Sequence, residues 1–263
     1  MNEYIEANKR AWATIAQDHY QTFYDFLSRH ELTLNQTEQQ ELGDIAGKRV
    51  MHLQCNTGAD TISLARLGAN ATGVDLVPAN IYYARKLAAD LGVHDVRFFD
   101  ANVLTLMDHH HDQYDIVFTT QGVLCWLPDL TLWARTVRHL LADDGFLYLL
   151  DGHPFFMVWD EERLPELVVK YPYFVKQADE GEWIGGYASE TKPATNYSWM
   201  YTMGEIVTAL SQAGLHIEWL HEFDWLYYKL ATDRQRKDDN GNWVFPAYQG
   251  QLPFTFSLKA TIR

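Results

Sequence analysis

The chain has 263 residues, 47% of them hydrophobic, enough for one large domain with a well-filled core. Its formal charge of −14, from 35 Asp and Glu against 21 Lys and Arg, disfavours nucleic acid as a partner, and no local basic patch offsets it. Two cysteines, Cys55 and Cys125, make neither a disulfide framework nor a zinc site, the N-terminal stretch is polar, and no apolar run nears the ~20 residues of a membrane span, so the expectation is a cytoplasmic protein acting on a small molecule.

From Asn2 to Arg29 apolar and aromatic residues recur at helical spacing (Ile5, Trp12, Ile15, Ala16, Tyr20, Phe23, Phe26, Leu27), which predicts a helix with a break near Asp18–His19. A short helix, Thr37–Ile45, closes on Gly47. The rhythm then changes. Strand Arg49–Leu53 precedes helix Asp60–Leu67, stopped by Gly68, and strand Ala71–Val74 precedes a helix from Pro78 to Leu91, with proline in its first turn. Strands Val96–Phe99 and Asp115–Thr119, helix Leu130–Leu141, the turn Asp143–Asp144–Gly145 and strand Gly145–Leu150 follow. This alternation predicts a doubly wound α/β sheet with helices on both faces and a ligand beyond the carboxyl ends of the strands.

Gly152–Tyr201 breaks the rhythm with aromatics, prolines and the pair Gly185–Gly186, and reads as an insertion over the sheet's carboxyl edge. Helix Gly204–Gln212, strand Ile217–Phe223, an irregular stretch Asp224–Pro253 and strand Phe254–Ile262 complete the chain, the last two strands forming an antiparallel pair. The expected organisation is one domain: a helical cap over 1–46, a cofactor-binding core over 47–151, a lid over 152–203 and the rest of the sheet over 204–263.

A nucleotide-type cofactor needs a tight turn after the first strand, a helix N-terminus facing it, and an acid about 20 residues on for the ribose hydroxyls. Here the turn is Gln54–Cys55–Asn56–Thr57–Gly58 and the acid is Asp75. A nicotinamide fingerprint would place glycines where Gln54, Asn56 and Ala59 stand.

The segment VMHLQCNTGADTISLARLGANATGVD resembles class I S-adenosylmethionine-dependent methyltransferases. The resemblance continues through Phe99–Asp100–Ala101, Tyr114–Asp115–Ile116–Val117 and Leu140–Leu141–Ala142–Asp143–Asp144–Gly145, and covers residues 48–151. HLQC, GVLCWLPDL, DGHPF and FSLKA are similar to a bacterial subgroup of uncharacterised members. The resemblance implies a mostly parallel seven-stranded sheet with its last strand antiparallel, and S-adenosylmethionine as cofactor. It puts Leu53, Gln54, Asn56 and Gly58 at the cofactor turn, Asp75 on the ribose, Leu76 beside the adenine, and Asp100 with Ala101 on the adenine edge. Thr120 and Gln121 fall under the reactive methyl, and Trp12 and Tyr20 close over the methionine end. Of the family's Gly-x-Gly-x-Gly only Gly58 remains, and His52 stands where an acid is common; asparagine tolerates left-handed backbone, which suits Asn56.

Methyl transfer asks a protein for alignment and desolvation, and for a base when the nucleophile is a high-pKa oxygen. His153, directly after the fifth strand, is the candidate base; the alternative is a structural histidine before Pro154. Trp12, Tyr20, Cys55 and Cys125 also fit plain core packing. His109–His110–His111 has metal-binding residue types, but consecutive side chains diverge, so a solvated loop and no metal are expected. Two other activities stay open: a cofactor-binding protein of this fold without turnover, motivated by Gln54 and Asn56, and a nicotinamide-dependent oxidoreductase.

Overall fold

The computed structural model describes residues 2–230 and 233–262, so positions 231–232 of the irregular stretch lie outside the described residues. Helix α1 (Asn2–Leu27) runs unbroken through Asp18–His19. It contains neither Gly nor Pro, and Lys192 holds Asp18 at 2.6 Å. Helix α2 (Gln36–Leu42) starts on a capping box: Glu38 N donates to Asn35 Oδ1 at 2.9 Å and Asn35 N to Glu38 Oε2 at 2.8 Å. It ends at Gly43, whose φ of 66° terminates the helix four residues before Gly47.

The expected alternation follows as β1 (Arg49–Leu53), α3 (Ala59–Arg66), β2 (Asn70–Asp75), α4 (Pro78–Asp90), β3 (Val96–Asp100), β4 (Tyr114–Thr120), α5 (Leu130–Leu140) and β5 (Leu141–Gly152). After these come β6 (Asp179–Ile184), β7 (Lys192–Ser198), α6 (Met203–Gln212), β8 (Leu215–Phe223), β9 (Trp225–Leu226), β10 (Arg236–Lys237), β11 (Trp243–Val244) and β12 (Thr255–Ile262). Seven strands form one sheet in the order β3-β2-β1-β4-β5-β12-β8. The first five are parallel, and β12 runs antiparallel to both neighbours, as the excursion between the last strands predicts. The order reverses between β1 and β4, which opens a crevice at their carboxyl ends.

Alternate residues of the central strands serve opposite layers. Val50, Ile116, Phe118, Tyr148 and Leu150 pack with Leu42 and Leu64 under α2 and α3. Met51, Val117, Leu147 and Leu149 pack with Trp133, Val137 and Leu210 from α5 and α6. The turn Asp143–Asp144–Gly145 is an irregularity inside β5, where the register shifts opposite Tyr114–Ile116. A Cβ on Gly145 would lie 2.8 Å from the Tyr114 carbonyl oxygen, so the strands close there only on a bare backbone.

The insertion is not irregular throughout: β6 and β7 form an antiparallel hairpin against α1. Asn8 Nδ2 donates to the Tyr197 carbonyl at 2.8 Å and Asn8 Oδ1 accepts from Tyr197 N at 2.7 Å, so one helix side chain pairs with this strand as a neighbouring strand would. Strands β9 to β11 form a small sheet within the second irregular stretch. Among the described residues no helix is long and apolar enough to cross a membrane.

Candidate active site

The turn after β1 carries three residues at positive φ: Gln54 at 56°, Asn56 at 50° and Gly58 at 78°. Left-handed backbone costs a non-glycine residue roughly 1–2 kcal/mol, so something must hold it. Asn56 N donates to Asp75 Oδ2 at 2.8 Å, and the Gln54 amide Nε2 donates to the Val123 carbonyl at 3.1 Å. Gly58 is bare for a different reason. A Cβ there would stand 2.7 Å from the Phe98 ring and 2.9 Å from Ala84 Cβ, so packing against β3 and α4 requires glycine whatever the ligand.

Asp75 closes β2 and is 7% exposed. Its Oδ1 accepts from Val77 N at 2.9 Å and Asn80 Nδ2 at 3.1 Å, its Oδ2 from Asn56 N alone. Burial raises its pKa despite these donors. A carboxylate has about four acceptor positions, so one on Oδ2 is left. Asp100 is in register with Asp75 on the neighbouring strand, and Ala101 N donates to the Asp75 carbonyl at 2.9 Å. The structure thus brings Asp75, Leu76, Asp100 and Ala101 to one stretch of the carboxyl edge, next to Leu53 at the end of β1.

Helix α1 reaches the turn with His19, not Tyr20. The expectation for Tyr20 is not met: its hydroxyl donates to Asp90 Oδ2 at 2.5 Å on α4, and its ring lies against Tyr83. A helix rotates about 100° per residue, which turns Tyr20 onto the α4 face and the preceding His19 onto the turn. His19 is fully buried, and its Nδ1 lies 3.1 Å from Asn56 Nδ2. Burial lowers its pKa to about 4, so the ring is neutral at physiological pH. Trp12, one face nearer, meets both His19 and Trp126 edge-on, at 5.8 and 5.2 Å.

Beneath the end of β4, Thr120 Oγ1 donates to Asp60 Oδ2 at 3.2 Å and Gln121 Nε2 to Glu38 Oε1 at 3.3 Å. These two adjacent residues therefore rest on two carboxyls, the half-buried Asp60 of α3 and the fully buried Glu38 of α2. Burial, and then the charge of Asp60, pushes Glu38 up; burial does the same to Asp60.

Sequence reasoning missed Asp151, at the carboxyl end of β5. Its Oδ1 accepts from Gly122 N and Gly152 N, both at 2.7 Å, and its Oδ2 from Val123 N at 3.1 Å and Leu124 N at 2.9 Å. It fixes the loop after β4. The available signal was positional: an acid at a strand's carboxyl end, in the segment Asp151–Gly152–His153. Tyr227 was missed too. Its hydroxyl stands over both glycines, 3.4 Å from where a Cβ on Gly122 would be and 3.7 Å from one on Gly152.

His153 faces away from this edge. Its Nδ1 accepts from Phe155 N at 3.0 Å, so the ring proton is on Nε2, which donates to Glu222 Oε1 at 2.8 Å. Neither nitrogen has a free lone pair in this arrangement. The histidines of 109–111 diverge: His110 Nε2 meets the Tyr114 hydroxyl at 2.9 Å while His111 lies edge-on to His139. Among the described residues no three His, Cys, Asp or Glu side chains are placed to hold a metal ion. Cys55 is buried beside Gly73, and His52, 2% exposed, is bonded to Thr61 Oγ1 at 2.8 Å.

A family described as "Methyltransferase domain" matches residues 51–147. The chain is 31% identical over 150 residues to the ubiquinone biosynthesis O-methyltransferase of Xanthomonas euvesicatoria, a match covering 54% of this chain and 62% of that protein. It is 30% identical over 117 residues to that of Shewanella pealeana, covering 44% and 48%. The chain thus matches 48% to 62% of the length of these curated relatives. Among solved structures, an S-adenosylmethionine dependent methyltransferase from Mesorhizobium loti superposes with a TM-score of 0.53 at 18% identity, over 84% of this chain and 94% of that one. A DhpI–SAH complex superposes with a TM-score of 0.58 at 17% identity, over 100% and 98%. At these identities the likeness is one of fold.

Proposed function

We infer that this chain, a class I S-adenosylmethionine-dependent methyltransferase by its domain and its fold, transfers a methyl group from that cofactor to a small-molecule acceptor. The observation that carries the reading is Asp75: a buried carboxylate at the carboxyl end of β2, one strand from the switch point, anchored by three donors and keeping one acceptor position for a ribose hydroxyl. The surrounding residues fit the rest of the cofactor. His19 Nε2 and Gln54 Oε1 are buried beside the turn without partners, a spare donor type and a spare acceptor for polar groups of a ligand.

The bound cofactor supplies a methyl on a sulfonium, an electrophile that needs no further activation. The protein's tasks are to bind, align and keep water out. Asp75 binds the ribose; Leu76, Asp100 and Ala101 border the adenine; Leu53, Gln54, Asn56 and Gly58 shape the turn. Thr120 and Gln121 form the floor under the methyl, and Asp151 fixes the loop that follows. Trp12 with Trp126, and residues 152–203 as a lid, cover the site. Tyr227 stands on the acceptor side. An oxygen nucleophile is supported by the relatives, which are O-methyltransferases. His153 can take the acceptor's proton only if its bond from Phe155 opens. The charge of −14 supports a small-molecule acceptor over nucleic acid, and two free cysteines fit a cytoplasmic location.

Calorimetric titration with S-adenosylmethionine and S-adenosylhomocysteine, followed by mass detection of product across hydroxylated acceptors, tests the reading. Binding with product supports it. Failure to bind either ligand removes it, and binding without any product across a broad screen favours a protein that keeps the cofactor site without turnover.

A further inference from the structure

We propose that His19 and Gln54 hold the amino-acid end of the cofactor, and that Tyr187, at the tip of the β6–β7 hairpin, positions His19 to do so. The proposal rests on the cofactor reading above and extends the site to two parts of the chain outside the sheet: α1 and the insertion.

The proton positions follow from the hydrogen bonds. Asn56 Oδ1 accepts from Thr57 N at 2.7 Å, which makes Nδ2 the group that faces His19 Nδ1 at 3.1 Å and the Tyr187 hydroxyl at 3.2 Å. An amide NH₂ only donates, so His19 Nδ1 accepts, and the proton of the neutral ring is on Nε2. That N–H is buried and has no partner. Gln54 is fixed in the same way: Nε2 donates to the Val123 carbonyl at 3.1 Å, which leaves Oε1 buried and unpartnered. Buried polar atoms in native proteins are nearly always satisfied; Thr57 Oγ1 in the same turn is also without a partner, and the pair formed by His19 Nε2 on α1 and Gln54 Oε1 in the turn needs an explanation. One is a donor and the other an acceptor. An α-amino acid offers their counterparts: its carboxylate accepts from His19 Nε2–H and its ammonium donates to Gln54 Oε1. At position 54 a side chain takes up the recognition where the related motif has a bare glycine, and His19 adds to it from α1.

Tyr187 ties this pair to the insertion. The residue is 51% exposed, yet its hydroxyl accepts from Asn56 and stands 3.4 Å from His19 Nδ1, and its ring meets the imidazole edge-on at 4.9 Å. The next residue is anchored to α1, Thr22 Oγ1 donating to the Ala188 carbonyl at 2.8 Å. The orientation of His19 is therefore set jointly by the turn and by a residue that only the insertion supplies.

The test is calorimetry on the full chain with two ligands: S-adenosylhomocysteine, and 5′-methylthioadenosine, which has the nucleoside and sulfur without the amino-acid group. The wild type should bind the first at least about tenfold tighter than the second. His19→Phe keeps the ring and removes the donor; it should weaken S-adenosylhomocysteine by about tenfold or more and leave 5′-methylthioadenosine within about twofold. Tyr187→Phe, at a half-exposed position that keeps the fold, should weaken S-adenosylhomocysteine by about three- to tenfold with the same selectivity, and it carries the test alone if His19→Phe does not fold. Loss of both ligands together, loss of neither, or a wild type indifferent to the amino-acid group overturns the proposal. A wild type that binds neither ligand overturns the cofactor reading itself.

Discussion

Two carboxylates at the same edge of the sheet, on strands separated by β1 and β4, do opposite things. Asp75 at the end of β2 and Asp151 at the end of β5 are both buried, and both hold a loop by its backbone N–H groups. Asp151 accepts from four backbone donors, two on each oxygen, and is spent. Asp75 accepts from three and keeps one position on Oδ2. The difference of one hydrogen bond separates a filled clamp from a carboxylate with an acceptor position to spare. It teaches that a buried acid at a strand's carboxyl end signals a binding site only when its acceptor positions are counted.

The comparison can be broken most sharply at the clamp. Asp151→Ala strands four backbone donors, each worth about 1–3 kcal/mol when left unsatisfied, so we expect a loss of roughly 4 kcal/mol or more in urea unfolding. A loss under about 1 kcal/mol would mean the loop after β4 is held by something else.

A third buried carboxyl sharpens the contrast, because Glu38 has fewer donors. In the fold its pKa is pushed up to about 8, whereas in the unfolded chain the proton leaves near 4.5. Between these values the unfolded state binds fewer protons, so stability falls as pH rises through this window. Glu38→Gln should remove on the order of 2–3 kcal/mol of that fall between pH 5 and pH 8.5, read as a flatter profile of Tm against pH. An unchanged profile would put the proton elsewhere.

Asp75→Asn tests the other side. It replaces one acceptor oxygen by an NH₂ group, and should weaken S-adenosylmethionine by roughly 100-fold, about 2.7 kcal/mol, in calorimetry. Equal losses of stability and of affinity would make Asp75 a second clamp. The smallest effect is expected at His153. Its ring joins β12's neighbourhood to Glu222, so His153→Ala should cost about 1 kcal/mol of stability, with turnover on any acceptor found by screening unchanged. A large fall in turnover alone would restore it as the base.

The core was legible because its strands are buried on both faces and read as apolar runs between glycines, with Pro78 and Gly68 marking helix limits. Asp75 was legible by its spacing from the turn. The hairpin β6–β7 was not: its sequence, with Lys192, Thr195 and Asn196, is polar, and its place depends on docking to α1 rather than on its own periodicity. His19 was hidden by phase, since a helix with one face on α4 and another on the insertion shows aromatic residues all round. Three of the four donors on Asp151 come from a loop 27 to 29 residues earlier, a pairing that no local pattern reports.

The pairing of Asn8 with Tyr197 spans 189 residues of chain. On a ribosome adding about 5–20 residues per second, α1 would wait roughly 10–40 s for its partner strand to emerge. During that interval the α1 surface that later receives the hairpin, with Ala11 and Ile15, lacks its partner Ile184. The turn after β1 can form early from contiguous chain, but the enclosure around it is a late event in biosynthesis.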